Sequence, residues 1–173
     1  VAIAIPKDGV ELEIISSTQQ AGDNQRQIST MLDIPQNKIV CRTKRLGGGF
    51  GGKETRSSLI SLIVALAAHK LNRPVRIMFD RDEDMIITGG RNPFLINYKV
   101  AFTNEGKITA LQTKTYVNSG YSVDFSGLVL LRAMFHMTGA YKIPNVEIEG
   151  NCMKTNTVSN TAYRGFGVPQ GML

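Results

Sequence analysis

The chain has 173 residues, 42% of them hydrophobic, 20% charged and 7% aromatic. That balance supports a real core and is ordinary for a globular chain of one-domain size. A net charge of +6 suits anionic ligands. The basic residues are scattered, however, and no aromatic platform accompanies them, so a nucleic-acid surface is not expected. No signal peptide is legible, since the opening Val1-Ala2-Ile3-Ala4-Ile5 is short and lacks basic flanks.

The chain opens in a strand-like run without an initial Met and stops at Gly171-Met172-Leu173 with no terminating signal. It reads as a fragment of a longer protein, with no complete domain in residues 1–173. The alternation of Val10 to Ser16 predicts a strand ending in the polar cluster Ser17-Thr18-Gln19-Gln20. Functional side chains often sit at such strand ends, which makes Gln19 a candidate; its plainer reading is a capping or solvated loop residue. Asp23 to Asp33 reads as a short helix with Ile28, Met31 and Leu32 on one face, closed by Pro35. Lys38 to Thr43 is a strand, and Glu54 to Leu71 is a helix whose middle is apolar nearly all round, hence expected to be buried on several sides. Its stretch from Leu59 to Ala68 is about half a membrane span, so no membrane segment is expected. His69 near its C-terminus reads as structural.

Val75 to Phe79 is expected to be a second buried strand. The charge run Asp80-Arg81-Asp82-Glu83-Asp84 that follows reads as a solvated turn with helix-capping carboxylates, because the D-x-D-x-D-G spacing of a calcium loop is absent. Phe94 to Thr103 and Lys107 to Val117 flank Asn104-Glu105-Gly106, a hairpin signal. Leu128 to Met137 is apolar but for Arg132, and an arginine inside an apolar run demands a partner. Arg132 is therefore either a site residue or half of a buried ion pair. Val146 to Met153 is a further strand, and Thr155 to Gln170 is irregular, polar and glycine-rich. Cys41 and Cys152 lack any C-x-x-C spacing, so no iron–sulfur or zinc site is read within this chain. Both read as small core residues. A reducing compartment is the default, though two cysteines decide little. A cytoplasmic location is the expectation, with the peroxisome as a second one.

The stretch with the strongest chemical content is Lys44-Arg45-Leu46-Gly47-Gly48-Gly49-Phe50-Gly51-Gly52-Lys53-Glu54. A strand, a glycine loop and a helix N-terminus together offer free N–H groups and a favourable dipole to an anion. A tight turn without a ligand is the plainer alternative. Arg164-Gly165-Phe166-Gly167 repeats the pattern, with glycines flanking an aromatic beside an arginine suited to oxyanions. Gly47-x-Gly49-x-x-Gly52 also matches the dinucleotide fingerprint, so a dinucleotide-binding module is a rival reading. Against it, the helix begins after the third glycine, Asp80 comes late for the ribose acid, and a hairpin follows where a parallel strand is needed.

Three segments, residues 47–56, Asp80 to Met85 with Thr88-Gly89-Gly90-Arg91, and Lys154-Thr155-Asn156 with residues 159–167, together resemble the molybdenum hydroxylases, in family order and over essentially the whole chain. Within that family the resemblance is closest to the xanthine dehydrogenase/oxidase branch. It implies an α+β fold of mixed strands and helices, a partial molybdopterin-binding domain. It implies a homodimeric parent with 2Fe-2S clusters and FAD, which hydroxylates hypoxanthine and xanthine to urate at a molybdopterin centre with molybdenum. Electrons would leave through the clusters and FAD to NAD+ or oxygen. By the same resemblance Gln19 would hydrogen-bond an oxo ligand of the metal. The N–H groups of Phe50 and Gly51 would contact the molybdenum end of the cofactor, and Arg164 would bind the cofactor. None of these would be a direct metal ligand. Glu54 and Arg132 would hold the purine, with Phe166 presenting its ring. Aldehyde oxidases resemble the chain too but usually carry apolar residues at positions 54 and 132, so the polar pair favours a purine. The family's general base, a glutamate, lies outside this chain, so no catalytic residue of that kind is expected in it, and the chain alone is expected to be inactive.

Overall fold

The computed structural model describes residues 1–172; Leu173, the last residue of the chain end read above, lies outside the described residues. The chain forms two compact units, Val1–Thr88 and Gly89–Leu173.

In the first unit the order is β1 (Ala2–Pro6), β2 (Leu12–Ser16), α1 (Ala21–Leu32), β3 (Ile39–Arg42), α2 (Arg56–Leu71), β4 (Val75–Ile77) and α3 (Arg81–Ile87). The sheet runs β3-β2-β1-β4. β2 and β3 are parallel, joined through α1, whereas β1 is antiparallel to both β2 and β4. Period-two alternation turns Ala2, Ala4, Leu12 and Ile14 to one face, where α2 packs on β1 and β2. α1 lies beside α2 and against β3. Ile28, Ile39, Val64, Ala65 and Ala68 complete this core. Each fully buried aliphatic side chain contributes about 1.5–3 kcal/mol.

The structure departs from the sequence expectation at several elements. The long helix starts at Arg56, two residues later than expected, and it is not buried on several sides: Ile63 and Leu66 face outward at 46% and 39% exposure. The strand after it is three residues long and half-buried, because it is an edge strand of the sheet. The charge run is no turn but the first turn of α3. Asp80 accepts from the N3 backbone N–H, and the Glu83 carboxylate accepts from the Asp80 N–H, a complete capping box. The capping role expected of these carboxylates stands. Both cysteines are half-buried, and Cys41 packs against the core of the first unit.

The second unit holds β5 (Phe94–Phe102), β6 (Ile108–Gly120), α4 (Ser126–His136), β7 (Asn145–Lys154) and the single turn α5 (Val168–Gly171). Its sheet runs β5-β6-β7. The β5–β6 hairpin forms as expected, with Gly106 at φ +81° in the turn and its N–H donating to the Thr103 carbonyl. β7 pairs parallel to β6. α4 packs on β6 and β7, and Gly150 makes room for it: a Cβ there would meet Leu130 and Met134. α4 covers one stripe only. Val129, Leu130 and Ala133 are buried, while Leu128, Leu131, Arg132 and Phe135 form an exposed stripe at i, i+3, i+4 and i+7. Arg132 is therefore not enclosed in an apolar core, because the apolar run supplies both faces of one helix.

Ile14 is fully buried between β1, β3 and the helices. Ile14→Ala is expected to destabilise by about 2–5 kcal/mol, read as a lowered urea midpoint. An unmoved midpoint would show that this core does not limit stability. Burial pushes the Cys41 thiol up to about 11. At pH 8 its thiolate fraction is then roughly a hundredfold below that of an ordinary thiol. Site-resolved labelling should find Cys41 correspondingly slow; labelling at the rate of free cysteine would mean that β3 opens.

Candidate functional site

Gln19 sits just past the end of β2, and its side chain reaches the glycine loop. Its Oε1 accepts from the Gly51 N–H at 3.1 Å and the Lys53 N–H at 3.2 Å. Its backbone N–H donates to the Lys53 carbonyl at 2.8 Å. Two donors on one amide oxygen fix which end of the carboxamide is which, so Nε2 is left as the donor that Gln19 presents. The arrangement needs glycine at position 49, where a Cβ would collide with the Gln19 carboxamide. The loop is thus partly self-filled: the Gly51 N–H, expected to face an anion directly, is engaged by Gln19. The loop offers an acceptor-seeking N–H₂ at this point in place of a bare backbone amide.

Phe50 stands at φ 54°, in the left-handed region, with its ring against Gly48. It is 67% exposed. Only six non-glycine residues among those described have positive φ. Asp33 and Asn72 are C-caps of α1 and α2, where this is usual. Asp124 lies in a polar turn. The other three are Phe50, Arg164 and Phe166, all candidate site residues. Left-handed backbone in a bulky residue costs on the order of 1–3 kcal/mol and persists where surrounding structure enforces it, characteristically at ligand sites.

In the second unit Arg164, Gly165, Phe166 and Gly167 are successive positive-φ residues. Arg164 stacks its guanidinium on the Tyr163 ring, 5.1 Å from the centroid. Gly167 permits close approach to α4, since a Cβ there would collide with the Val129 carbonyl. This seats Phe166 next to the helix that carries Arg132. The loop is held from behind by Thr161, whose N–H donates to the Gly90 carbonyl and whose hydroxyl donates to Asp124 at 2.8 Å. Asn160 donates to the Ser119 and Asn118 carbonyls.

Gln19, Phe50, Gly51 and Glu54 thus belong to the first unit, where the first three are brought together and Glu54 follows half-buried at the end of the loop. Arg132, Arg164 and Phe166 belong to the second. The dinucleotide reading loses its geometric basis: Gly52 precedes α2 by four residues, and the sheet holding the loop is mixed. Sequence reasoning overlooked the buried hydroxyls Thr18, Ser57 and Ser61, and the polar hub Asn118. Ser57 and Ser61, four apart in an apolar helix, were the available signal.

The profile of the molybdopterin cofactor-binding domain matches residues 1–173. The chain belongs to the molybdopterin cofactor-binding domain family. It is 58% identical to xanthine dehydrogenase/oxidase of Mus musculus over 172 residues, 99% of this chain and 13% of that protein. It is 54% identical to xanthine dehydrogenase of Calliphora vicina, with the same coverage of each. The chain therefore spans about an eighth of the length of these relatives. Among solved structures it is similar to quinoline 2-oxidoreductase of Pseudomonas putida 86, with a TM-score of 0.85 and 27% identity over 96% of this chain and 22% of that one. Aldehyde oxidoreductase of Desulfovibrio gigas gives a TM-score of 0.83 and 29% identity over 99% of this chain and 19% of that one. The α+β fold is that of a molybdenum hydroxylase cofactor-binding domain. The chemistry of the first unit's loop fits a molybdopterin group, with an anchored amide donor and a glycine at which any Cβ would intrude; in the second unit, taken by itself, an arginine at positive φ is suited to an oxyanion. No helix among the described residues is long and apolar enough to cross a membrane.

Gly49→Ala in the full-length protein is expected to displace Gln19 and lower molybdenum content and turnover at least about tenfold, the scale of losing a built hydrogen-bonding geometry. Gly47→Ala, which meets nothing within 4 Å, should leave both within about twofold. Equal behaviour of the two would contradict the Gln19–loop contact.

Proposed function

We propose that this chain supplies cofactor- and substrate-binding residues of a xanthine dehydrogenase, a molybdenum oxidoreductase that hydroxylates hypoxanthine and xanthine to urate. The observation that carries the reading is the anchored amide of Gln19 with the left-handed Phe50 in the first unit; the left-handed Arg164 and Phe166 of the second unit support it separately. The similarity to xanthine dehydrogenases supports it. The bound group would supply two-electron oxidation of an electron-poor ring carbon. Gln19 would donate from Nε2 to an oxygen of that group. Phe50 and Arg164 would hold it, and the N–H of Gly51 would act through Gln19 Oε1 instead of by direct contact.

For the substrate, Glu54 and Arg132 would hydrogen-bond the polar edges of a purine and counter charge as it develops on the ring, with Phe166 packing on a ring face. Arg132 stands in an outward apolar stripe between Leu128, Leu131 and Phe135. Covered by further protein, its guanidinium would lose water and seek an acceptor, which a purine carbonyl supplies. A full-length homodimer would carry the electrons on through 2Fe-2S clusters and FAD to NAD+ or oxygen.

Two experiments test this. Glu54→Ala and Arg132→Met in the full-length protein should each lower xanthine turnover by about a hundredfold or more, the scale of removing one preorganised charge-stabilising group, with molybdenum content retained. Unchanged urate formation would remove the purine assignment, and aldehyde oxidation without urate from the unaltered protein would move it to aldehyde oxidation. The isolated chain should form no urate; robust urate formation by it would overturn its place as a contributing part.

A further inference from the structure

Beneath the glycine loop lies a run of buried hydroxyls in a largely apolar interior. Thr18 Oγ1 is 2.7 Å from Ser57 Oγ, and both residues are buried. Ser57 Oγ donates to the Lys53 carbonyl at 3.0 Å, one turn back along the chain. Thr18 Oγ1 accepts from the Gln20 N–H at 2.9 Å. Below them Ser61 Oγ lies 2.9 Å from Ser16 Oγ and accepts from Asn24 Nδ2 at 3.0 Å. The run joins the end of β2, the start of α2 and the first turns of α1. Buried hydroxyls add little net stability, since an isosteric apolar pair could fill the same space. Their directionality is what an apolar pair could not reproduce.

What the run points at is one peptide. The Lys53 carbonyl receives the Gln19 N–H at 2.8 Å and the Ser57 hydroxyl, with Thr18 Oγ1 at 3.3 Å, while the Lys53 N–H holds Gln19 Oε1. Thr18 precedes Gln19, and Ser57 lies one helical turn after Lys53. We propose that Thr18 and Ser57 are positioning residues that lock the Lys53 peptide, and through it set the height and amide orientation of Gln19 against the loop. That Gln19 then serves a bound oxygen rests on the function proposed above; the lock itself does not.

The test uses the full-length protein with Thr18→Val, which keeps shape and removes the hydroxyl, and Thr18→Ser, which restores it. Hydrogen exchange of the peptide spanning residues 47–56 reads the lock without reference to turnover. Thr18→Val should raise exchange there and lower kcat for xanthine, each by up to about tenfold, the reach of one hydrogen bond, with KM within about threefold. Thr18→Ser should restore both. Unchanged exchange in Thr18→Val overturns the lock, whatever happens to kcat. Raised exchange with unchanged kcat overturns its role toward Gln19. Should Thr18→Val not fold, Ser57→Ala is read in the same way. If the unaltered protein neither holds molybdenum nor forms urate, the proposed function fails, while exchange still decides the lock.

Discussion

The peptide of Lys53 is the constraint on which the first unit's site depends. Its carbonyl and its N–H both engage Gln19, one through the backbone and one through the side chain. β2 and the glycine loop are far apart in sequence, and this pairing is what brings them into contact. A loop with three consecutive glycines has high conformational entropy when free, so it adopts one shape only if its ends and middle are tied. The Lys53 contacts tie the end, and the bond from the Gly51 N–H to Gln19 ties the middle. The glycines at 48 and 49 then serve for close approach, to the Phe50 ring and to the Gln19 amide respectively.

The second unit solves the same problem differently. Its loop is Arg164-Gly165-Phe166-Gly167. It is pressed onto α4 through Gly167 and Gly171, each of which would clash with a helix carbonyl if it bore a Cβ. From behind it is bonded through Asn160, Thr161 and Asp124. Both devices produce the same local result, an aromatic residue held in left-handed backbone between glycines, at Phe50 and at Phe166. A relaxed loop would not keep a phenylalanine there. In each unit the positive φ of a bulky residue persists because the surrounding structure enforces it.

Much of this was legible in the sequence. The glycine loop, the hairpin about Asn104-Glu105-Gly106 and the existence of α1 and α2 follow from turn chemistry and periodicity, which are local. α3 was legible too, since Asp80 and Glu83 stand at capping-box spacing. It was obscured because five charged residues in succession read first as solvated. The faces of α2 and α4 were not legible. An apolar helix states that burial is available and not which side receives it, and here Ile63, Leu66, Leu128, Leu131 and Phe135 point outward. For the same reason Arg132, which stands in an apolar run, lies in the outward stripe and not in a core. The Thr18–Ser57 contact spans 39 residues; the spacing of Ser57 and Ser61 marks hydroxyls in an apolar helix and does not name their partner.

The outward apolar stripe and the solvent face of the second sheet differ in kind. The sheet face carries pairs that belong in water: Lys114 with Glu149 at 3.3 Å, and Gln112 with Glu147 at 2.8 Å. Exposed pairs of this sort contribute about 0–1 kcal/mol and mark a surface that needs no cover. Along the α4 stripe stand Leu128, Leu131 and Phe135 about the Arg132 guanidinium, with Phe135 at 72% exposure. Contiguous apolar side chains left in water favour association with further protein. In relatives where the matched segment is about an eighth of the whole, ample chain exists to cover such a stripe. Covering it would transfer Arg132 from water to a low-dielectric setting, where its charge gains strength toward any acceptor that remains accessible. The apolar neighbours of Arg132 thus reconcile its exposure in this chain with the substrate-binding role proposed for it.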